Sequence, residues 1–384
     1  MEKYNDGGCC HQVTFIDQDG HRKTSTVPVV QELARQGLTQ LPERFIRAPS
    51  KKNPIDDDSH SSGVSPKALP VINVAKLRAK WSDPEGRAEE LAKLASGVRD
   101  WGLCLITEHG ISSCVLHGVK DVVKSFFGLS FEEKKQTVGS YGKIDNMGYG
   151  RNFVKSEDQP LDWIDRLTMK AAPVGGDEGL NVWPQKPENF RQVTERYVLE
   201  ARKVLDELLQ ALAEALSLER NVFVKYFDPT NSEINVRVNY YPPCPRPDLA
   251  QGITPHSDAS ALTLLMQFDA TGGLQVLRDQ KWLTLPWPTD ALLVNVGDFL
   301  EIMSNGRLKS PWHRVVTQME VERFSVALFY NPPSWTEIVP EPVEDSAGQD
   351  GGGGFRKVVV GDYLKHFYEI SPTEDKQAIM YARV

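Results

Sequence analysis

The chain has 384 residues, of which 40% are hydrophobic and 25% are charged. A chain with this composition can bury a large core, which excludes global disorder. Its 44 Lys and Arg residues and 52 Asp and Glu residues give a net charge of −8. This charge argues against nucleic acid or an acidic membrane surface as a general partner.

The five cysteines form no C-x-x-C pair, and their number is odd. We therefore expect free thiols rather than a disulfide framework. The N-terminus lacks the apolar stretch of a secretory signal, and no apolar run reaches the length of a membrane span. These features predict a cytoplasmic protein without membrane insertion, and we expect a monomer.

The N-terminal part is predicted to pack little. Residues 1 to about 28 are polar and show no periodicity, so we expect loose structure there. A short helix is predicted from Val30 to Leu38, closed by Gly37. The charged, Ser-rich stretch from Lys51 to Ser65 is typical of a connector. Residues 1–66 are thus predicted to form a flexible tail with one short helix and a linker.

Residues 67–225 alternate between strand and helix patterns, which predicts an N-terminal α/β region that packs on the core formed by the rest of the chain. The glycine-rich stretch from Gly139 to Phe153 contains Tyr149 and is predicted to form a flexible wall of a pocket. The other predicted elements are a strand at Leu69–Val74, a helix starting near Ser82, a strand at Leu103–Thr107, a helix after Ser112, a strand at Asp162–Met169 and a long helix at Glu188–Ser217.

Residues 226–384 consist of short strand patterns separated by Gly, Pro, Asp and Asn, followed by a helix near Asp362–Tyr368. Many short strands at this spacing are typical of a sandwich or jelly roll. Gly351 to Gly354 is predicted to be a flexible insertion. The predicted fold class is therefore α+β with a mainly β core, a jelly roll flanked by helices that forms one compact unit.

One strand pattern, from Glu233 to Tyr241, has two distinct faces because successive side chains in a strand point to opposite sides. The apolar face carries Ile234, Val236, Val238 and Tyr240, and the other face carries Arg237, Asn239 and Tyr241. Prolines after Tyr241 end the strand, since they lack an N–H for the sheet.

A candidate metal site follows this strand. The spacing of His256 and Asp258 lets an imidazole and a carboxylate converge, and His313 offers a third ligand after several further strands. Two imidazoles and one carboxylate are the ligands of a mononuclear non-haem iron(II) site with open positions. Each residue by itself is a weak signal.

Arg323 and Ser325 strengthen this interpretation. The two side chains share a strand face, where a guanidinium and a hydroxyl can bind a carboxylate. The apolar neighbours of Arg323 imply burial, and a buried arginine requires an anion. Asn239 and Tyr241 are placed to add hydrogen bonds to the same acid.

Three motifs together identify a family resemblance. NYYPPCPRPDLAQGITPHSDASALTLL, SNGRLKSPWHRVV and RFSVALFYNPP closely resemble plant dioxygenases that depend on 2-oxoglutarate and iron(II). The flavonoid-type subgroup of that family includes anthocyanidin synthase, flavonol synthase, flavanone 3-hydroxylase and flavone synthase type I. The resemblance implies a distorted double-stranded β-helix, which is a jelly roll, with iron at one open end.

The resemblance also implies roles for individual residues. His256, Asp258 and His313 match the iron ligands, and they are the predicted catalytic centre. The residues that match the binding site for the far carboxylate of 2-oxoglutarate are Arg323, Ser325, Tyr241 and Asn239. The implied cofactors are Fe(II), 2-oxoglutarate as cosubstrate and O2, with ascorbate as reductant. The implied reaction converts 2-oxoglutarate to succinate and CO2 and removes a hydrogen atom from a substrate.

Four positions match the substrate pocket of the flavonoid enzymes: Tyr149, Arg237, Phe329 and Asn331. Phe329 offers a face for a phenolic ring, and Arg237 offers a cation for a phenolate, carbonyl or carboxylate. Asn331 differs from the acidic residue of anthocyanidin synthase and agrees with flavone synthase and flavanone 3-hydroxylase. The predicted substrate is a flavonoid, with a flavanone preferred.

Alternatives remain open. One is an oxidase of a hormone or other specialised metabolite, such as jasmonate, gibberellin or a coumarin precursor. Jasmonate ranks lower because Leu364 and Tyr368 stand where that subgroup would need arginines. A second is a catalytically silent jelly-roll binding protein, against which the complete set of iron and cosubstrate residues argues. A third is an ascorbate-using relative of the ethylene-forming oxidase, distinguished by whether 2-oxoglutarate is required.

Overall fold

The computed structural model describes residues 9–16, 20–47, 69–138, 147–150, 154–173, 182–269, 272–288, 290–342, 354–373 and 375–384. The connector predicted at Lys51–Ser65 lies outside these residues, as does most of the glycine run that ends at Gly354. Much of the predicted pocket wall at Gly139–Phe153 also lies outside them.

The described residues form eight α-helices. They are α1 (Val30–Arg35), α2 (Val74–Arg78), α3 (Pro84–Asp100), α4 (Ser113–Gly128), α5 (Phe131–Thr137), α6 (Phe190–Ala215), α7 (Asp298–Met303) and α8 (Val360–Ile370). The longest, α6, confirms the predicted helix and buries a stripe that includes Tyr197, Ala201, Val204 and Leu208. Among the helices in the described part of the chain, none has the length and apolar character needed to cross a membrane.

The strands form one large sheet, one smaller sheet and two short ribbons. They are β1 (Cys10–Ile16), β2 (Arg22–Pro28), β3 (Val71–Asn73), β4 (Leu103–Thr107), β5 (Gly148–Tyr149), β6 (Asp165–Ala172), β7 (Glu233–Tyr241), β8 (Ile253–His256), β9 (Leu262–Gln267), β10 (Leu274–Arg278), β11 (Lys281–Thr284), β12 (Leu292–Val296), β13 (His313–Val315), β14 (Arg323–Asn331), β15 (Glu337–Ile338) and β16 (Val358–Val359).

The large sheet has the order β3-β4-β12-β9-β14-β7-β6-β5, and the smaller sheet has the order β11-β10-β13-β8. Except for the parallel pair β3 and β4, the strands of both sheets pair antiparallel. This arrangement confirms the predicted jelly roll. Strand β14 lies between β7 and β9, so both of its edges are paired.

Alternate side chains of the large sheet enter two different cores. Leu264, Val294 and Val326 face the helices, whereas Leu265, Leu293 and Ala327 belong to a second cluster shared with Val276 and Val315 of the smaller sheet. Because the period of a strand is two residues, these assignments place Tyr241 inside the barrel and Tyr240 against the helices. The two faces predicted for β7 are therefore confirmed.

The prediction of loose structure before residue 28 is wrong for residues 10–16 and 22–28, which form the β1-β2 hairpin. Val13 and Phe15 of β1 are buried with Val27 of β2, in a cluster that also contains Phe45 and Trp163. The alternation that produces this packing is short and lies among polar residues, which concealed it. The N-terminal part is consequently a packed layer rather than a flexible tail in its described residues.

Candidate active site

Three predicted metal ligands meet at one end of the barrel. His256 ends β8 and His313 begins β13, and the two residues are directly opposite in the antiparallel pair. Their ring centroids are 4.2 Å apart. The Nε2 atom of each ring lies 3.8 Å from Oδ1 of Asp258. One ligand atom from each of the three residues lies within 4.8 Å of the others, which is compatible with binding a single ion.

Backbone carbonyl groups orient both imidazoles. Nδ1 of His256 donates to the carbonyl oxygen of Thr254 over 2.9 Å, and Nδ1 of His313 donates to that of Pro311 over 3.2 Å. A proton fixed on Nδ1 leaves the lone pair of Nε2 for a metal. Burial, together with the neighbouring His313, lowers the pKa of His256 to about 3. The ring is therefore neutral, as a metal ligand must be.

Asp258 is held from the opposite wall. Asn295 of β12 donates from Nδ2 to Oδ2 of Asp258 over 3.2 Å. The carbonyl oxygen of Asp258 also accepts the N–H of Asp298, at the start of α7, over 2.8 Å. Sequence reasoning missed Asn295. Its only signal was an amide in an otherwise apolar strand pattern, ALLVNVG, where a buried polar group requires a partner.

Arg323 lies inside the barrel and is 4% exposed. The register places it opposite Tyr241 and places Ser325 opposite Asn239. Nε of Arg323 donates to Oε1 of Gln267 over 3.0 Å, and Nη1 lies 3.4 Å from Oγ of Ser325. Its guanidinium carbon is 5.1 Å from the centroid of the Tyr241 ring.

This cluster has unused hydrogen-bonding capacity. Within the described residues, Nη2 of Arg323, the hydroxyl of Tyr241 and Oδ1 of Asn239 have no hydrogen-bond partner. Buried polar atoms are nearly always paired. A guanidinium donor beside a phenol and a serine hydroxyl fits an incoming carboxylate. The donor set therefore fits a keto acid that reaches from the metal ligands into the barrel.

The cavity that contains His256 and Asp258 is also lined by three of the predicted substrate residues, Arg237, Phe329 and Asn331. Arg237 donates from Nε to Oγ1 of Thr168 over 3.2 Å. Its guanidinium carbon lies 5.1 Å from the centroid of the Phe329 ring. Burial and the neighbouring Arg166 lower the pKa of Arg237 below its usual range.

The prediction for Tyr149 requires correction. In the antiparallel pair of β5 and β6, Tyr149 is opposite Leu167, whereas Gly148 is opposite Thr168. Directly opposite residues share a sheet face, and Leu167 belongs to the helix-side core. The Tyr149 ring is fully buried there and contacts Phe126. It does not line the cavity.

Several cavity residues were missed. Arg166 and Thr168 project from β6, and Leu364, Phe367 and Tyr368 project from α8. The spacing of 364, 367 and 368 is that of one helical face, so the sequence contained this signal. The sequence interpretation considered Leu364 and Tyr368 only as positions at which the arginines of the jasmonate-oxidising subgroup are absent. It did not consider the face that they form.

A jelly roll with two histidines, one aspartate and an inward arginine at its open end defines a mononuclear non-haem iron oxygenase. Comparison with known families agrees. Residues 233–332 match the 2OG-Fe(II) oxygenase superfamily, and residues 69–186 match the non-haem dioxygenase in morphine synthesis N-terminal family. The chain belongs to the 2-oxoglutarate and iron(II)-dependent oxygenases.

Known relatives cover most of the chain. Protein SRG1 of Arabidopsis thaliana is 37% identical over 315 residues, which are 82% of this chain and 85% of that protein. Oxoglutarate-dependent flavonoid 7-O-demethylase 1 of Ocimum basilicum is 32% identical over 343 residues, 89% of this chain and 87% of that protein. The crystal structure of JOX2 in complex with 2OG, Fe and JA has a TM-score of 0.76 and 28% identity, and the match covers 92% of this chain and 97% of that one.

Two conclusions follow from the site and the family together. The chain is a 2-oxoglutarate-dependent dioxygenase, and its cofactors are iron(II) and 2-oxoglutarate, with His256, Asp258 and His313 as the iron site. The names of the relatives span different substrates, so membership of the family leaves the substrate open.

Proposed function

We propose that this oxygenase oxidises a flavonoid, with a flavanone as the first candidate, by hydroxylation or desaturation. The observation that carries the proposal is the pairing of Arg237 with Phe329 in the wall of the cavity. An aromatic face beside a fixed cation suits a flat phenolic molecule with a carbonyl or phenolate oxygen.

The surroundings of this pair support an aromatic substrate. Tyr368 interacts electrostatically with Arg237, and Leu364 and Phe367 extend the apolar wall from α8. Asn331 is 3% exposed, and its Oδ1 has no hydrogen-bond partner among the described residues. An amide in this state is available to a substrate hydroxyl or carbonyl group.

The remaining residues of the site have assigned tasks in this proposal. Arg323 and Ser325, aided by Tyr241 and Asn239, hold the far carboxylate of 2-oxoglutarate. Iron(II) and 2-oxoglutarate, when bound by these residues, would activate dioxygen for oxidation of the substrate, and ascorbate would keep the iron ferrous. The walls of the barrel exclude water and fix which substrate carbon faces the iron ligands.

A carboxylate-bearing substrate is the second candidate. The guanidinium groups of buried Arg166 and half-buried Arg237 line the same cavity, and the similar JOX2 structure holds JA. Asp162 pairs with Arg166, since its Oδ2 accepts from Nη2 of Arg166 over 3.2 Å, and the same carboxylate also pairs with Arg47. The flavonoid proposal remains first because the guanidinium of Arg237 lies against the Phe329 ring.

The test is an aerobic assay of the purified full chain with iron(II), 2-oxoglutarate and ascorbate. The panel contains a naringenin-type flavanone, a dihydroflavonol, a flavonol and jasmonic acid, with succinate and product both measured by mass. We expect the flavanone to raise succinate formation and to yield a product changed by one oxygen or two hydrogens. Turnover that responds only to jasmonic acid would replace the first candidate by the second.

Variants at Arg237 separate the two candidates further. Arg237→Lys retains the charge but not the planar contact with Phe329, so it should weaken the binding of a phenolic substrate and largely preserve the binding of a carboxylate substrate. Arg237→Met removes the charge and should weaken the binding of both substrates. If neither variant changes the KM of the active substrate, Arg237 has no role in recognition.

A further inference from the structure

Arg47 precedes both regions that match the family models, which begin at residues 69 and 233. It nevertheless lines the active-site cavity. Its backbone N–H donates to the carbonyl oxygen of Leu249 over 2.9 Å. Close by, the Phe45 ring packs edge-on against Trp163, with centroids 5.1 Å apart. The N-terminal layer, which comprises residues 9–16 and 20–47, therefore contributes the guanidinium of Arg47 to the active site.

The side chain of Arg47 joins a compact polar network. Its Nη2 donates to Oδ1 of Asp162 over 2.9 Å and to Oγ1 of Thr254 over 2.8 Å. The same Oδ1 accepts from the N–H of Thr254 over 3.1 Å and from its hydroxyl over 2.6 Å. The Arg47 and Asp162 side chains are 20% and 14% exposed, so solvent screens this ion pair less than a surface pair.

The network ends at an iron ligand. Thr254 lies two residues before His256 on β8, and its carbonyl oxygen accepts the hydrogen bond from Nδ1 of His256. We propose that Arg47 is a positioning residue: through Asp162 and Thr254 it fixes this end of β8 and thereby directs Nε2 of His256 towards the iron site. This inference concerns the iron site only and does not depend on the proposed substrate.

The physical reason is the number of constraints on one residue. Thr254 is held by its N–H, its hydroxyl hydrogen and its hydroxyl oxygen, and Arg47 supplies the last of these contacts. Without Arg47, Asp162 retains only its contact with Arg166 as an ion pair among the described residues. The Thr254 hydroxyl can then rotate with the carboxylate, so the carbonyl that orients His256 is less firmly placed.

The decisive measurement is the dissociation constant for Fe(II) in the presence of 2-oxoglutarate, determined without oxygen by competition with a coloured chelator. Substituting a group that supports a metal ligand typically weakens binding by about 10–100-fold, and we expect Arg47→Ala to lie near the lower limit because it acts through Thr254. Arg47→Lys should recover part of the affinity. Lysine retains the charge but cannot reproduce all three hydrogen bonds of Nη2, the third of which reaches the carbonyl oxygen of Pro160 over 3.4 Å.

Arg44→Ala is the matched control. The Arg44 side chain donates to the carbonyl oxygen of Thr26 and to Oγ of Ser25, both within the N-terminal layer. It should leave the Fe(II) affinity unchanged. If Arg44→Ala weakens iron binding as much as Arg47→Ala does, the effect is general loosening of the layer and the proposal is wrong.

A double variant tests the route. Thr254→Val removes the hydroxyl but retains the carbonyl that binds His256. If Arg47 acts through the Thr254 hydroxyl, the double variant Arg47→Ala/Thr254→Val should bind Fe(II) no more weakly than the weaker-binding single variant. Multiplied effects would show that Arg47 does not act through this hydroxyl and would overturn the proposed connection. An unchanged Fe(II) affinity in Arg47→Ala would also overturn the proposed connection.

Discussion

Two regions of the molecule bury charged groups almost completely, but the hydrogen bonding of these groups differs between the two regions. At the mouth of the barrel, Asp258 and Arg323 are 5% and 4% exposed. Beside the N-terminal layer, Asp165 and Lys134 are 1% and 0% exposed. We refer to Asp165, Lys134 and Gln31 as the N-terminal dock. Burial alone does not distinguish the two regions.

Hydrogen bonding does distinguish them. In the dock, the Asp165 carboxylate accepts the backbone N–H of Val30 over 3.0 Å and that of Gln31 over 2.7 Å. Lys134 donates to the side-chain oxygen of Gln31. At the mouth, atoms of Arg323 and Tyr241 lack partners within the described residues. The satisfied cluster fixes the position of α1 against β6, whereas the unsatisfied one is prepared for a ligand.

Arg323→Lys should give the largest effect of the three substitutions that test this comparison. Lysine retains the charge but cannot form the paired hydrogen bonds of a guanidinium. Hydrogen bonds to charged groups contribute about 1.5–3 kcal/mol, which corresponds to a rise of roughly 10–100-fold in the KM for 2-oxoglutarate. The measurement is succinate formation against 2-oxoglutarate concentration, together with the Fe(II) dissociation constant, which should not change.

Arg202→Lys is the control for this substitution. Arg202 also lies over a tyrosine ring, 5.7 Å from the centroid of Tyr330, and it donates to the carbonyl oxygens of Asp228 and Pro229 away from the cavity. The KM of this variant should equal that of the parent chain. Equal KM values for all three proteins would remove Arg323 from the cosubstrate site.

Lys134→Met tests the dock, and its effect should depend on pH. Burial, partly opposed by Asp165, lowers the pKa of Lys134 from 10.5 to about 8. Between these values the unfolded chain binds more protons than the folded chain, so stability rises with pH. Relative to Lys134→Met, the parent chain should gain about 1–2 kcal/mol in the free energy of unfolding from about pH 7.5 to pH 9.5.

Urea denaturation at the two pH values measures this gain. Lys135→Met provides the control, because Lys135 is the adjacent residue of α5 and is exposed. It should follow the parent chain at both pH values. If the difference in the free energy of unfolding between the parent chain and Lys134→Met is the same at both pH values, Lys134 has the same pKa in the folded and unfolded states. The dock would then not change the pKa of Lys134.

The mouth was more predictable from the sequence than the dock, for a physical reason. Metal ligands must converge within a few ångströms, and the His-x-Asp spacing on a strand already brings two of them together. The arginine and serine of β14 share a face by the same alternation. These local patterns, combined with the many short strand patterns of residues 226–384 and the family resemblance, predicted the jelly roll and the iron ligands.

The other contacts depend on residues that are distant in sequence. Asp165 and Val30 are 135 residues apart, and Arg47 and Thr254 are 207 apart. No local period encodes such pairs. The β1-β2 hairpin was missed because its alternation is short and polar residues, His11 and Ser25, occupy two of the buried positions. Tyr149 was misplaced because its face depends on pairing with β6.

Tyr149→Phe should give the smallest effect, and it tests the revised position of this residue. The ring lies in the helix-side core with Phe126 and Phe127, on the opposite side of the sheet from Thr168 and the cavity. Loss of the hydroxyl should change the free energy of unfolding by no more than about 1.5 kcal/mol. Substrate KM should remain within about twofold of the parent value, as for substitutions away from a site.

Phe329→Leu, which removes the ring inside the cavity, provides the contrast: its substrate KM should rise while its KM for 2-oxoglutarate does not. A larger rise for Tyr149→Phe than for Phe329→Leu would return Tyr149 to the substrate pocket and contradict the register of β5 and β6.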